Sequence, residues 1–163
     1  MRSQKIRSLT TGAMIAALYV ALTYVSHMFG LASGAIQVRL SEALTVLPYF
    51  THAAIPGLFV GCILSNLLTG CAVWDIVFGS IATLIGAIFS FLLRDKSKWF
   101  APLPNILSNS AIIPFILIYV YGLKEAYYIH LISILIGELV SGGIFGMILF
   151  FVLEKHKNYI FKK

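Results

Sequence analysis

Apolar runs of near-membrane length follow one another along almost the whole chain, joined by short polar connections. A hydrocarbon layer about 30 Å thick takes roughly 20 helical residues to cross. The runs 9–29, 53–69, 76–93, 102–121 and 127–153 are at or near that length. Between the first two lies 35–50, which carries Gln37, Arg39, Glu42 and Pro48; it reads as a further span that is short, tilted or partly interfacial. Hydrophobic residues make up 60% of the chain and charged ones 11%, against about a quarter charged in soluble domains, so lipid must cover the apolar surface. The expected fold is an all-α integral membrane protein, a compact bundle of six transmembrane helices. Six spans take roughly 120 positions, so residues 1–163 are expected to form a single transmembrane domain.

Cations test the span count independently, because Lys and Arg in short loops favour the cytoplasmic side. Six spans with the N-terminus inside put three tracts in the cytoplasm: Arg2, Lys5 and Arg7; Arg94, Lys96 and Lys98; and Lys155, Lys157, Lys162 and Lys163. Only Arg39 and Lys124 fall in outward connections. Both termini are therefore expected in the cytoplasm, and the first run reads as an uncleaved span rather than a removed signal. The net charge of +6 comes from tracts beside apolar runs rather than a soluble basic face, which argues against nucleic-acid binding.

Small residues recur at four-residue spacing. Ala13, Ala17 and Ala21 form one stripe on the first helix; Gly57 with Gly61 and Gly142 with Gly146 repeat the interval. Helices in lipid associate through close packing at such positions. The spacing serves either packing within this chain or, for the alanine stripe, contact with a separate membrane subunit.

Polar residues inside the apolar runs are the candidates for function. Glu138 lies about eleven residues into the last run, where a lipid-facing carboxylate would cost on the order of 3 kcal/mol, so it is expected to face the bundle interior. It is either a structural carboxyl or a ligand contact. Asn66 and Asn109 are either interhelical hydrogen-bonding groups or ligand contacts. Asp75 either caps a helix starting at residue 76 or joins a pocket, and Trp74 is either an interfacial anchor or a stacking platform. Arg39 and Glu42, three apart, are placed to pair on a helix, and Pro114 is expected to bend the fifth span.

Cys62 and Cys71, nine residues apart, would sit about 13 Å apart on one helix and read as ordinary thiols. His27, His52, His130 and His156 lack metal-ligand spacing. No P-loop, GxSxG or HExxH pattern occurs. Neither cofactor nor catalytic residue is expected, and any ATP hydrolysis would fall to other subunits.

The segment AIQVRLSEALTVLP at 35–48, continuing through AAIPGLFVGCILSNLL at 53–68 and WDIVFGSIATLIGA at 74–87, resembles the queuosine-precursor transporter (QueT) family. These are substrate-binding S components of energy-coupling-factor (ECF) transporters. The QVRLSEAL run is the specific part. The resemblance implies a six-helix S component of the bacterial plasma membrane that takes a queuosine precursor, a 7-deazaguanine such as preQ1 or queuine, from outside the cell. It also implies a transmembrane coupling subunit and two cytoplasmic ATPases as partners, met through an AxxxA surface matching Ala13, Ala17 and Ala21.

A 7-deazaguanine presents adjacent N–H donors, a carbonyl acceptor and a flat face. On that chemistry Glu138 is expected to accept from the N–H edge, Asn109 or Asn66 to complete it, and Trp74 to stack on the ring. Asp75 or Glu42 would attract a protonated aminomethyl group, while Arg39 and Gln37 would belong to the connection that closes the pocket. The alternatives are an S component for another vitamin-like ligand and a small autonomous carrier or channel in which Glu138 relays protons.

Overall fold

The computed structural model describes residues 2–31, 37–120, 122 and 126–160; Lys124, Lys162 and Lys163 of the cation pattern lie outside them. The described residues form helices and no strand. Helix α1 (Arg2–Met28) is followed by a 3-10 helix (Leu40–Tyr49), then α2 (Ala54–Leu68), α3 (Val73–Leu93), a single 3-10 turn (Lys98–Phe100) and α4 (Leu103–Tyr119). The last run is one long rod: α5 (Tyr127–Glu138), a π-helical stretch (Leu139–Phe145) and α6 (Gly146–Ile160). Six helical segments thus stand where six were expected, and four of them are long and apolar enough to cross a membrane.

Glycine ends two of the helices in the same way. Beyond α1, Gly30 takes φ +70°, with its N–H donated to the His27 carbonyl (3.0 Å) and that of Leu31 to Ser26 (2.9 Å). Beyond α2, Gly70 takes φ +74°, with bonds from Gly70 to Leu67 (3.3 Å) and from Cys71 to Asn66 (3.0 Å). A left-handed residue after the helix satisfies the terminal carbonyls and turns the chain. These stops send the chain back to the bundle at Arg39 and at Asp75.

The second segment is where the structure refines the expectation most. A 3-10 helix of ten residues is unusually long and, at about 2 Å per residue, extends only about 20 Å. That falls short of a full crossing by itself. Instead it is threaded into the bundle, packed on α1, α3, α6 and the π-helical stretch, with Ser41, Glu42 and residues 44–48 buried. Pro48 has no N–H to give an α-helical ladder. The Thr45 hydroxyl donates to the Glu42 carbonyl at 2.6 Å, and the N–H of Leu40 donates to Ser26 Oγ of α1 at 2.8 Å. Arg39, extended at φ −107°, precedes the helix, so it does not pair with Glu42 across a helical turn as its spacing suggested.

The regular glycine spacings turn out to be internal. A Cβ on Gly57 would stand 2.7 Å from the Gly12 carbonyl oxygen, and one on Gly61 would stand 2.8 Å from Tyr19 Cβ, so α1 and α2 meet backbone to backbone. Gly146 receives Val46 and Ala43 of the 3-10 helix in a similar manner. Between these contacts sits a core of Ile15, Tyr19, Leu44, Leu47, Leu58 and Ala87. The stripe Ala13, Ala17 and Ala21 lies on the other side of α1 and is exposed. At the far end of the bundle, Lys98 Nζ lies 3.9 Å from Glu154 Oε2 and over the Phe151 ring at 5.0 Å. That contact gathers the cationic tracts of the α3–α4 connection and of α6 at one end.

Close helix approach predicts an asymmetric response to added volume. Gly61→Val should lower the unfolding midpoint in detergent, with a loss of about 1–3 kcal/mol from overpacking. Gly143→Ala, whose Cβ would meet only ordinary contacts at 3.8 and 3.9 Å, should shift stability by about 0.5 kcal/mol or less. Equal midpoints for the two variants would contradict this packing.

Candidate functional site

Two carboxylates from distant parts of the chain meet in the interior. Glu42 enters on the 3-10 helix and Glu138 at the end of α5, and they are 2% and 6% exposed. Buried polar groups without partners are costly in an apolar setting, and this pair is held by a built network. Tyr19 Oη donates to Glu42 Oε1 at 2.6 Å. Asn105 Nδ2 donates to Glu42 Oε2 at 2.8 Å. Asn109 Nδ2 donates to Glu138 Oε1 at 2.8 Å and to Glu42 Oε2 at 3.4 Å, bridging the two acids. Asn105 and Asn109 are one helical turn apart on α4, so both amides point the same way.

The backbone has been shaped to permit this meeting. A Cβ on Gly86 of α3 would stand 2.5 Å from Asn105 Cα, so the missing side chain lets α4 bring Asn105 inward. Immediately after Glu138 the helix widens into its π-helical stretch, a local irregularity of the kind that re-aims side chains at functional sites. The Ser141 hydroxyl within it donates to the Gly137 carbonyl at 2.6 Å. Gly137 itself lies against the backbone of Gln37, whose carbonyl oxygen would collide with any Cβ there. The connection before the 3-10 helix is thereby seated on α5 as a strap.

Beneath that strap Gln37, Arg39, Glu42, Asn109 and Glu138 line one cavity, joined by Cys62, Gly79, Thr83, Ile113 and Ile134. Its volume is about 20 Å³, room for roughly one water, whereas small-molecule pockets hold roughly 300 Å³ or more. The structure therefore holds no heterocycle-sized chamber around Glu138, contrary to expectation, and admitting a heterocycle there would require the strap and its neighbours to move. Glu138 Oε2, Asn109 Oδ1, Asn105 Oδ1 and Ser110 Oγ are buried with no hydrogen-bond partner among the described residues. Two of these four atoms, the amide oxygens, are pure acceptors, and the Glu138 oxygen is one when its carboxyl is ionised.

Five of the eight residues proposed as ligand contacts thus line the cavity. Asn66 stands just behind it, its Oδ1 accepting from an Arg39 guanidinium N–H at 3.4 Å. A Cβ on Gly79 would meet Asn66 Nδ2 at 3.4 Å and Asp75 Oδ1 at 3.7 Å, so both side chains sit next to the cavity wall without lining it. Asp75 is not the helix cap its position suggested: α3 begins at Val73 after Ala72, and Asp75 is buried in the first turn, where a negative charge suits the helix dipole. Its charge and that of Glu42 both act on Arg39. Trp74 does not line the cavity. It is 57% exposed and stacks on Phe78 with centroids 5.9 Å apart, the placement of an anchor rather than a platform.

Tyr19 and Asn105 escaped the sequence reading. Tyr19 looked like one more aromatic in an apolar helix, but it lies on the inward face opposite the alanine stripe. The i, i+4 relation of Asn105 to Asn109 was the available signal.

Four helices long and apolar enough to cross a bilayer, packed with the shorter segments around an interior polar cavity, define a multi-pass helical membrane protein. Residues 9–155 match the QueT transporter family, and the chain belongs to that family. It is 35% identical over 98 residues to the queuosine precursor transporter QueT of Lactococcus lactis subsp. cremoris (strain MG1363), a stretch covering 60% of this chain and 57% of that relative. No solved structure matches the chain.

The bridging amide should matter for folding as well. Asn109→Leu strips both carboxylates of a donor and should destabilise the protein by about 1–3 kcal/mol, read as a lower unfolding midpoint in detergent. Trp74→Phe should leave the midpoint nearly unchanged. An unaltered midpoint for Asn109→Leu would show that the two acids do not depend on this bridge.

Proposed function

We propose that this chain is the substrate-binding S component of an ECF transporter and that it captures a queuosine precursor, a 7-deazaguanine such as preQ1 or queuine. The observation that carries the reading is the polarity of the cavity's spare groups: Glu138 Oε2 and Asn109 Oδ1 are acceptors without partners, beside the acceptor carboxylate of Glu42. The aminopyrimidinone edge of a deazaguanine offers adjacent N–H donors that suit such atoms, and charge-assisted bonds in a dry site are the strong ones. Arg39 and Gln37 supply donors on the strap for the ring carbonyl. Ile113 and Ile134, not Trp74, are the apolar side chains placed to meet the ring face. The name carried by the lactococcal relative supports the same ligand class.

In this reading the chain acts as one transmembrane domain with both termini in the cytoplasm, and it binds from outside. As an S component it would work with a coupling subunit and two ATPases, and any ATP hydrolysis would fall to those partners, since no P-loop pattern occurs in the sequence. The exposed Ala13, Ala17 and Ala21 stripe is the surface offered to the coupling subunit, since small side chains permit close helix contact in lipid. Nucleotide-driven reorientation of the loaded subunit then moves the ligand inward, a two-state change biased by the partners.

Glu138→Gln should weaken binding of preQ1 by at least about tenfold in calorimetric titration of the purified protein, because the amide keeps the volume but removes the charge. Unchanged affinity would remove Glu138 from the site. Ala17→Trp should abolish co-purification with the coupling subunit while preserving preQ1 affinity. Intact co-purification would move the partner surface elsewhere, and uptake by the chain alone in ATP-depleted vesicles would favour an autonomous carrier.

A further inference from the structure

We propose that Tyr19 and Asn105 are specificity-determining positioning residues, which fix the Glu42 carboxylate as an anionic subsite for a protonated amine, selecting amine-bearing 7-deazaguanines over neutral ones. The inference rests on the ligand class proposed above and adds the division of labour between the two acids.

The two carboxylates are held differently. Glu42 receives three donors, from Tyr19 on one oxygen and from Asn105 and Asn109 on the other. Glu138 receives one donor among the described residues: Asn109 reaches Oε1, while Oε2 finds no partner. A group with a bare buried oxygen gains most by meeting new donors, so Glu138 is the natural partner of the ring's N–H edge. Glu42 already has its orientation set from behind, by residues from α1 and α4 that do not line the cavity. Its Oε1 keeps a lone pair beyond the Tyr19 bond, and the residue lines the same cavity as Glu138. A preoriented carboxylate attracts a cation without first reorganising, the electrostatic advantage of a rigid support behind a binding group.

Tyr19 and Asn105 are themselves immobilised. They are 1% and 0% exposed. Tyr19 is pressed on by α2 at Gly61, and Asn105 is enclosed by α3 at Gly86. Neither needs to touch the ligand. Their contribution passes through Glu42, whose competing cation among the cavity-lining residues is Arg39, which also donates to Asn66. Discrimination should therefore depend on Glu42 and its two supports, and overall affinity on Glu138.

The test titrates the purified full chain with two probes that share a ring, 7-aminomethyl-7-deazaguanine, which carries a protonated amine, and 7-cyano-7-deazaguanine, which is neutral. The wild type should prefer the aminomethyl compound. Tyr19→Phe and Asn105→Ala should each reduce that preference by about tenfold, the scale of losing one hydrogen bond to a charged group, with a much smaller change for the cyano compound. In a Glu42→Gln background neither change should alter the preference further, which a merely structural role would not produce. Should the preference survive Tyr19→Phe and Asn105→Ala, or should the effects add to that of Glu42→Gln, the positioning role is overturned while the ligand class stands. A wild type that binds neither probe overturns both. Tyr19→Phe keeps the ring that fills its site, so it reports on the hydrogen bond even where Asn105→Ala fails to fold.

Discussion

Putting two carboxylates inside an apolar bundle is the constraint around which this structure is organised. Water is not available in a bilayer to solvate them, so each must be met by donors brought from other helices. Those donors come from α1 through Tyr19 and from α4 through Asn105 and Asn109. The acids come from the 3-10 helix and from the end of α5. Satisfying the pair therefore ties together four segments that are distant in sequence, and the tie lies where a ligand would sit.

The packing follows from the need to bring these elements close. Glycines at Gly57 and Gly61 let α2 lie against α1, Gly86 admits Asn105, and Gly137 admits the backbone of the strap. None of these glycines is at a turn; each removes a side chain where two segments approach. The compact 3-10 helix serves the same end, since a thin rod can be threaded among α1, α3 and α6 and carry Glu42 inward. The network is almost complete but leaves Glu138 Oε2 and Asn109 Oδ1 without partners among the described residues. A donor-bearing ligand that opens the strap would meet those atoms.

Hydropathy and cation placement were enough to read six helical segments and an inward Glu138, because length, apolarity and the cost of a charge in lipid are local properties of the chain. The 3-10 character of the second segment was not legible. Gln37, Arg39, Glu42 and Pro48 signalled an irregular span, but what fixes its geometry is contact with α1, α3 and α6. For Trp74 the sequence left anchor and stacking platform open, because a residue beside a loop gives no sign of which way it faces; in the structure it is exposed and away from the cavity. Tyr19 and Asn105 were missed because a single tyrosine or asparagine in an apolar run gains meaning only when its partner, here Glu42, is known. The alanine stripe shows the reverse: its spacing was visible in sequence, yet only the fold shows that Ala13, Ala17 and Ala21 stay uncovered while the glycine pairs are used within the chain.

Whether the cavity between Glu42 and Glu138 opens around a 7-deazaguanine is tested most directly by native mass spectrometry of the protein purified from cells supplied with preQ1. The expected result is one retained small molecule per chain with the mass of a 7-deazaguanine, lost on collisional activation. Retention of a different compound, such as thiamine or riboflavin, would contradict it.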